Sequence, residues 1–316
     1  MQLKSFNLIF LLAILLLLDC EQRIEKPEIP SGQFITILGI AQDAGYPQVD
    51  CKKECCVPFY NGIEKKKRVT SLGLVDKTSN EKWLFDATPD ITSQLDDLNR
   101  NHLDNKPIIN GIFLTHAHIG HYTGLMYLGR EVLGAKEISV YAMPRMKDFL
   151  ETNGPWSQLV SLRNIALKEL QAETTVKLNA RLKVTPFLVP HRDEYSETVG
   201  YKIDGPTKSA LFIPDINKWS LWGRDIVDEV KKVDYAFLDA TFFKNGEIAR
   251  PMDEVPHPFI TETTKLFEKE NLETKAKVVF IHFNHSNPAN LNSHKLKDSI
   301  IDLGFRFSAE GLNFAL

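Results

Sequence analysis

Three histidines, His116, His118 and His121, fall within six residues and directly follow an apolar run that stops at Thr115. The run, Gly111 to Leu114, is rich in Ile and Phe and is entered through Asn110-Gly111, which reads as a buried strand. From Tyr122 a helical pattern begins, with Leu125, Leu128 and Val132 on one predicted face. The histidines therefore sit at a strand-to-helix corner. Neutral imidazoles are good ligands for zinc, iron and manganese-type ions, and a corner can aim several of them at one point. One histidine there reads as a satisfied or surface residue; three at this spacing read as ligands.

Further ligand types stand at the ends of other apolar runs. His191 follows Phe187 to Pro190, Asp215 follows Leu211 to Pro214, and His282 and His285 follow Val278 to Ile281. Taken singly, each reads as a cap, a turn or a surface residue. His257 lies between prolines in Val255 to Phe259. Seven of the nine histidines occupy such positions, with His102 and His294 outside them.

These residues need strands to carry them. Strands are predicted at Phe34 to Ile40, at Ser71 to Val75 and Lys82 to Phe85 as a hairpin, and at Ile138 to Ala142. Others are predicted at Leu182 to Leu188, Val199 to Ile203, Ala210 to Ile213, Tyr235 to Leu238, Val278 to Ile281 and Leu312 to Ala315. Helices are expected over Asp90 to Arg100 with Thr88 or Asp90 as cap, from Arg145, and over Trp222 to Lys232, Thr261 to Lys269 and Ser293 to Leu303. Asn153 to Trp156 reads as a loop whose tryptophan borders a site or packs on the core. Strand clusters punctuated by helices in both halves fit an α/β architecture of two sheets packed face to face with helices outside.

His116-x-His118-x-x-His121 after Leu114-Thr115 resembles the His-x-His-x-Asp-His signature of the metallo-β-lactamase fold. More closely, residues 34 to 316 resemble the branch holding pyrroloquinoline quinone biosynthesis protein B and the cyclic phosphodiesterase of phosphonate breakdown. The resemblance implies an αββα sandwich. It implies that His116, His118 and His191 hold a first metal, that Asp215 bridges, and that His121 and His282 reach a second. Gly120 departs from the signature by removing the carboxylate that completes the second site. What remains, His121, His282 and Asp215, is a two-histidine, one-carboxylate set suited to Fe²⁺ as well as to weakly held Zn²⁺ or Mn²⁺. Asp193 or Glu194 is the expected compensating carboxylate, and Gly120→Asp is expected to tighten the second metal. His257 occupies the region where the phosphodiesterase relative carries its general-acid histidine; the alternative is a rigid proline-flanked turn.

The N-terminus differs from the rest. Leu8 to Leu18 is continuously apolar, has the length of a signal-peptide core, and ends at Leu17-Leu18-Asp19-Cys20. This resembles a bacterial lipobox, although Asp19 stands where a small residue is usual. Residues 1–20 are thus expected to be a signal peptide ending in a lipidated Cys20, residues 21–33 a tether, and residues 34–316 a single catalytic domain of an envelope lipoprotein. With Cys20 spent on the anchor, Cys51, Cys55 and Cys56 cannot all pair within one chain. A structural zinc on Cys51, Cys55, Cys56 and His285 is expected, the histidine chosen because the phosphodiesterase relative has two histidines at the His282–His285 offset. The alternative is a Cys55–Cys56 bridge with one free thiol.

The 316 residues, 43% hydrophobic and 25% charged, allow a sizeable core, and the net charge of −3 gives no electrostatic footprint for nucleic acid. A small molecule is the expected partner. Three functions compete: a hydrolase of a small phosphodiester or ester using water activated by zinc or manganese, an iron-dependent oxygenase of the quinone-biosynthesis type, and a non-catalytic envelope-anchored binding protein.

Overall fold

The computed structural model describes residues 29–249 and 251–316; the expected signal peptide with Cys20, and most of the expected tether, lie outside them. Among the described residues, fourteen strands form two seven-stranded sheets. The first has the order β14-β1-β2-β3-β4-β5-β6, with β1 Gln33–Gly39, β2 Ser71–Asp76, β3 Glu81–Phe85, β4 Gly111–Phe113, β5 Ile138–Ala142, β6 Ile165–Glu169 and β14 Asn313–Ala315. The second runs β13-β12-β11-β10-β9-β8-β7, with β7 Val176–Lys177, β8 Lys183–Leu188, β9 Val199–Asp204, β10 Ser209–Ile213, β11 Tyr235–Asp239, β12 Val278–Ile281 and β13 Arg306–Phe307. In each sheet an antiparallel half adjoins a parallel half. The chain is therefore the two-sheet sandwich with outer helices that its pattern predicts.

The continuous apolar runs have a simple cause: the strands are buried on both faces. Along β1, Ile35 and Ile37 enter the core between the sheets, whereas Phe34 and Leu38 pack outward with Ile91, Leu95 and Leu98. In β4, Phe113 points inward, and Ile112 with Leu114 outward. Phe113 stacks on Phe85 and Tyr141, and Tyr201 meets Phe85 and Phe113 edge-on from the other sheet. This aromatic floor lies beneath the histidine corner. Burying each such ring contributes about 1.5–3 kcal/mol, so the fold does not depend on any one ligand above it.

Several helices are shorter than expected. The turn after His118 is Ile119–Tyr122, followed by a 3₁₀ segment Thr123–Leu128; Leu125 and Leu128 are buried, but Val132 lies beyond and is exposed. Only Ile226–Lys231 is helical in the stretch from Trp222, because Asp225 caps it by accepting from the Val227 and Asp228 amides. Trp222 instead donates its Nε1–H to the Leu188 carbonyl. Asp90 precedes the helix Ile91–Asp97, but its carboxylate accepts from the Val69 amide and Lys66 rather than capping. Trp156 packs against Tyr122 and Phe149, which settles its role as packing. His102 lies against Phe34 and Thr36, and His294 caps Lys295–Asp302. Among the described residues, no helix is long and apolar enough to cross a membrane.

Candidate metal centre

The strands β1, β3 and β4 of one sheet run alike, as do β8, β10, β11 and β12 of the other. The side chains just beyond their C-terminal ends meet at one rim of the sandwich. Asp43 follows β1, Asp86 follows β3, His116, His118 and His121 follow β4, and His191 follows β8. Asp215 follows β10, Asp239 closes β11, and His282 follows β12.

His116, His118, His191 and Asp215 form one mutually close donor set. His116 Nε2 lies 2.9 Å from His118 Nδ1, which is 3.2 Å from His191 Nε2. The Asp215 oxygens stand 3.3 Å from both His116 Nε2 and His191 Nε2. Donors around a tetrahedral zinc with bonds of about 2.0–2.1 Å are about 3.3–3.4 Å apart, so the spacing fits.

The outward nitrogens strengthen the case. His118 Nε2 faces Glu194 at 3.1 Å, His191 Nδ1 faces Asn217 Oδ1 at 3.1 Å, and His121 Nδ1 faces Asp86 Oδ2 at 2.7 Å. The Thr115 hydroxyl donates to Asp86 and thus accepts from His116 Nδ1; the Thr241 hydroxyl donates to Asp239 and thus accepts from His282 Nδ1. Each outward nitrogen accordingly carries the proton, and each inward one presents a lone pair. Lone pairs facing one another at 2.9 Å in a buried site call for a cation between them. Burial also holds His116 well below the usual histidine range.

A second set, Asp43, His121, Asp215 and His282, adjoins the first through Asp215. Asp43 Oδ1 is 3.0 Å from His121 Nε2 and 3.8 Å from His282 Nε2. None of Asp43 Oδ1, His121 Nε2, His282 Nε2 or Asp215 Oδ1 makes an acceptably angled hydrogen bond, although all are buried. Such orphaned groups are costly unless something satisfies them.

The expected compensating carboxylates are elsewhere. Glu194 faces the outer nitrogen of His118, and Asp193 accepts from Thr198. The expectation for Gly120→Asp also fails, because a Cβ at Gly120 would lie 2.6 Å from Asp43 Cα and 2.4 Å from its Oδ1. There is no room for a side chain there.

His257 completes the rim. Its Nδ1 lies 3.0 Å from Asp239 Oδ2 and 3.2 Å from Asp215 Oδ1. Burial opposes its protonation, but the Asp239 and Asp215 carboxylates prevail and raise its pKa to about 10. Asp239 is fixed by the Thr241 amide and hydroxyl and by the Ile216 amide. The loop is thus more than a proline-flanked turn.

At the N-terminal knuckle, Cys51, Cys55 and His285 come together, and all three cysteines are free. Cys55 Sγ lies 3.7 Å from Cys51 Sγ; Cys56 Sγ, buried beside Ala41 and Tyr46, is 4.0 Å from Cys55 Sγ but does not join the mutually close set with His285. His282 has φ +69°, and this left-handed residue separates its ring from that of His285 three positions on.

Asp43, Asp86, Asp239, Asn217, Thr115 and Thr241 were not singled out from sequence. The three aspartates share one signal, an acidic residue at the end of an apolar run, which also marks ordinary turns. A cavity of about 540 Å³ lined by Lys218, Trp219 and Glu262 includes none of the rim's histidines or aspartates.

A family profile described as beta-lactamase superfamily domain matches residues 82–283. Coenzyme PQQ synthesis protein B of Methylorubrum extorquens is 24% identical over 313 residues, covering 89% of this chain and 99% of its own. Among solved structures, Zn²⁺-bound PqqB from Methylobacterium extorquens superposes with a TM-score of 0.74 at 20% identity, over 90% of this chain and 100% of that one. A diphosphatase from the PhnP family does so with a TM-score of 0.61 at 21% identity, over 89% and 96%.

Proposed function

The chain belongs to the beta-lactamase superfamily, and from that membership we propose that it is a metal-dependent hydrolase of a small phosphodiester or ester. The observation that carries the reading is the adjacency of a cation site and a proton donor: Asp215 closes the first donor set and also contacts His257. His116, His118, His191 and Asp215 would hold the first ion. Zn²⁺ is the ion proposed there, because three imidazoles and one carboxylate at near-tetrahedral spacing suit it; Mn²⁺ or Fe²⁺ competes where carboxylates are richer. A divalent ion in this set lowers the pKa of coordinated water and polarises a phosphoryl or carbonyl oxygen. Asp239 accepts the Nδ1–H of His257 and holds the ring, which leaves Nε2–H to protonate the departing oxygen. Glu194, Asn217, Thr115 and Asp86 keep the ligand histidines in the tautomer that faces inward. The test is turnover of a panel of nitrophenyl phosphodiesters and esters by purified protein loaded with Zn²⁺ or Mn²⁺. No turnover of any member would refute the reading.

A second reading is an iron-dependent oxygenation; the likeness to coenzyme PQQ synthesis protein B supports a role in coenzyme synthesis rather than hydrolysis. Asp43 among the donors breaks the two-histidine, one-carboxylate count on which the iron reading rested. Oxygen consumption that requires Fe²⁺, without hydrolysis, would favour it.

Asp86 provides a check on the outer bonds. It accepts from His121 Nδ1 and from both the amide and hydroxyl of Thr115. Asp86→Asn, which keeps the shape, is expected to weaken metal binding about 10–100-fold. Equilibrium dialysis reads this directly, and unchanged affinity would mean that Asp86 only packs.

The knuckle is proposed to hold a structural zinc through Cys51, Cys55 and His285. Cys51→Ser and His285→Ala should each lose one zinc equivalent and lower the melting temperature by about 5–10 °C. Cys56→Ser should retain the metal. Zinc content independent of Cys51 and His285 would remove the site.

A further inference from the structure

We infer that Asp43 is a metal ligand of the second set, delivered from the end of β1 in place of a carboxylate at position 120, and that Gly120 is a glycine in order to admit it. The inference rests on the metal-centre reading above but adds a ligand from outside the family-matched span, which begins at residue 82.

Three independent observations converge. Asp43 Oδ1, His121 Nε2 and His282 Nε2 face one another, buried and without hydrogen-bond partners, in a mutually close group that Asp215 completes, its Oδ2 lying 3.8 Å from His121 Nε2. His121 and His282 are fully buried and Asp215 nearly so, leaving water little access to satisfy them. Their outward nitrogens are already engaged by Asp86 and Thr241, so the inward ones have lone pairs to give. Two imidazoles and two carboxylates make a complete donor set where sequence showed an incomplete one.

The second observation is steric. A Cβ on Gly120 would meet the Asp43 backbone as well as its carboxylate, so a side chain at 120 and Asp43 in its place exclude each other. One position supplies the carboxylate and the other supplies the space.

The third is anchorage. The Asp43 segment is pinned on both sides: the Ile40 and Ala41 amides donate to the Arg68 carbonyl, and the Thr70 amide donates to the Ala41 carbonyl. The Gln42 amide donates to the Phe283 carbonyl at 2.8 Å, and the Phe283 amide to the Ile40 carbonyl at 2.8 Å. Asp43 and His282 thus sit on two backbone segments bonded directly to each other, which is how a loop residue acquires the positional accuracy a ligand needs. Charge supports the same arrangement. Asp43, Asp86, Asp215 and Asp239 bring four carboxylates to one rim, and buried charge requires compensation. Cations at the two donor sets supply that compensation.

The test uses the full chain, stripped of metal and titrated with Mn²⁺ alone, read by stoichiometry and by electron paramagnetic resonance. Wild type should bind a pair and show the multiline spectrum of two spin-coupled ions. Asp43→Ala, the isosteric Asp43→Asn, and Gly120→Ala should each weaken the second equivalent more than about 100-fold and leave a mononuclear spectrum. Asp193→Ala should behave as wild type. If Asp43→Ala fails to fold, Asp43→Asn decides. A coupled pair that persists in Asp43→Asn, or a wild type that never forms one, overturns the inference. A coupled pair that depends on Asp43 in a protein without hydrolytic turnover would uphold this assignment and refute the function reading alone.

Discussion

Asp215→Ala is expected to abolish loading at both donor sets and to lower kcat/KM by about 10³–10⁴-fold, equivalent to roughly 4–5.5 kcal/mol of transition-state stabilisation. Asp215 belongs to both donor sets and also contacts His257. One Asp215 oxygen faces His116 and His121, and the other faces His191 and the proton donor His257. Its loss removes the shared ligand and one of the carboxylates that keep His257 charged. The fold should survive, because the core beneath is built from the aromatic rings of Phe85, Phe113, Tyr201 and Phe212, none of which belongs to the donor sets. Metal analysis together with circular dichroism makes the check. Full metal content and turnover in Asp215→Ala would sink the assignment.

His257→Ala should behave differently, with metal content unchanged and turnover reduced by about 10²–10⁴-fold for substrates that release a basic alkoxide. With a nitrophenolate leaving group, which needs little protonation, the loss should be less than about tenfold. The pH dependence has a definite sign. His257 acts as an acid and its pKa is raised, toward about 10 when both Asp239 and Asp215 act on it. Activity should therefore hold through neutral pH and fall on the alkaline side. A cation on Asp215 neutralises part of that influence and leaves the Asp239 carboxylate, which places the limb between the ordinary value of about 6.5 and about 10. His257→Ala should lose this limb. Equal damage for good and poor leaving groups, or an unchanged alkaline limb, would mean that His257 merely packs.

The strands that frame the rim were readable because burial on both faces writes them as apolar runs, as in β1, β10 and β12. Those at the margins were not: β7 and β13 are two residues each, and β6 ends in exposed Lys168 and Glu169. The histidines were readable because their type is scarce and their spacing uneven. The carboxylates were harder. An aspartate after a strand is ordinary turn chemistry, and what separates Asp43 from Asp193 is only the neighbour that folding supplies. Gly120 looked like a lost ligand for the same reason, since the side chain that takes its place lies in another part of the chain. Cys55 and Cys56 look equivalent in sequence, and in the fold both thiols lie near Cys51, but Cys55 is the one that forms a mutually close set with Cys51 and His285.

The rim gathers donors from residue 43 to residue 282 and from both sheets, which has a consequence for how the protein matures. A nascent chain that has made only β1 to β6 possesses His116, His118 and His121 but none of His191, Asp215 or His282, so it has no complete pocket with which to retain an ion. Loading must follow docking of the sheets, and the ion acts as a late lock rather than a template. Because it binds only the docked state, it stabilises that state by mass action, by about 2.7 kcal/mol at a free concentration one hundred times its dissociation constant. The lock lies at the one rim, so amides near Val199 and Thr115, where the β9 backbone bonds across to the histidine corner, should gain the most protection from hydrogen exchange on loading.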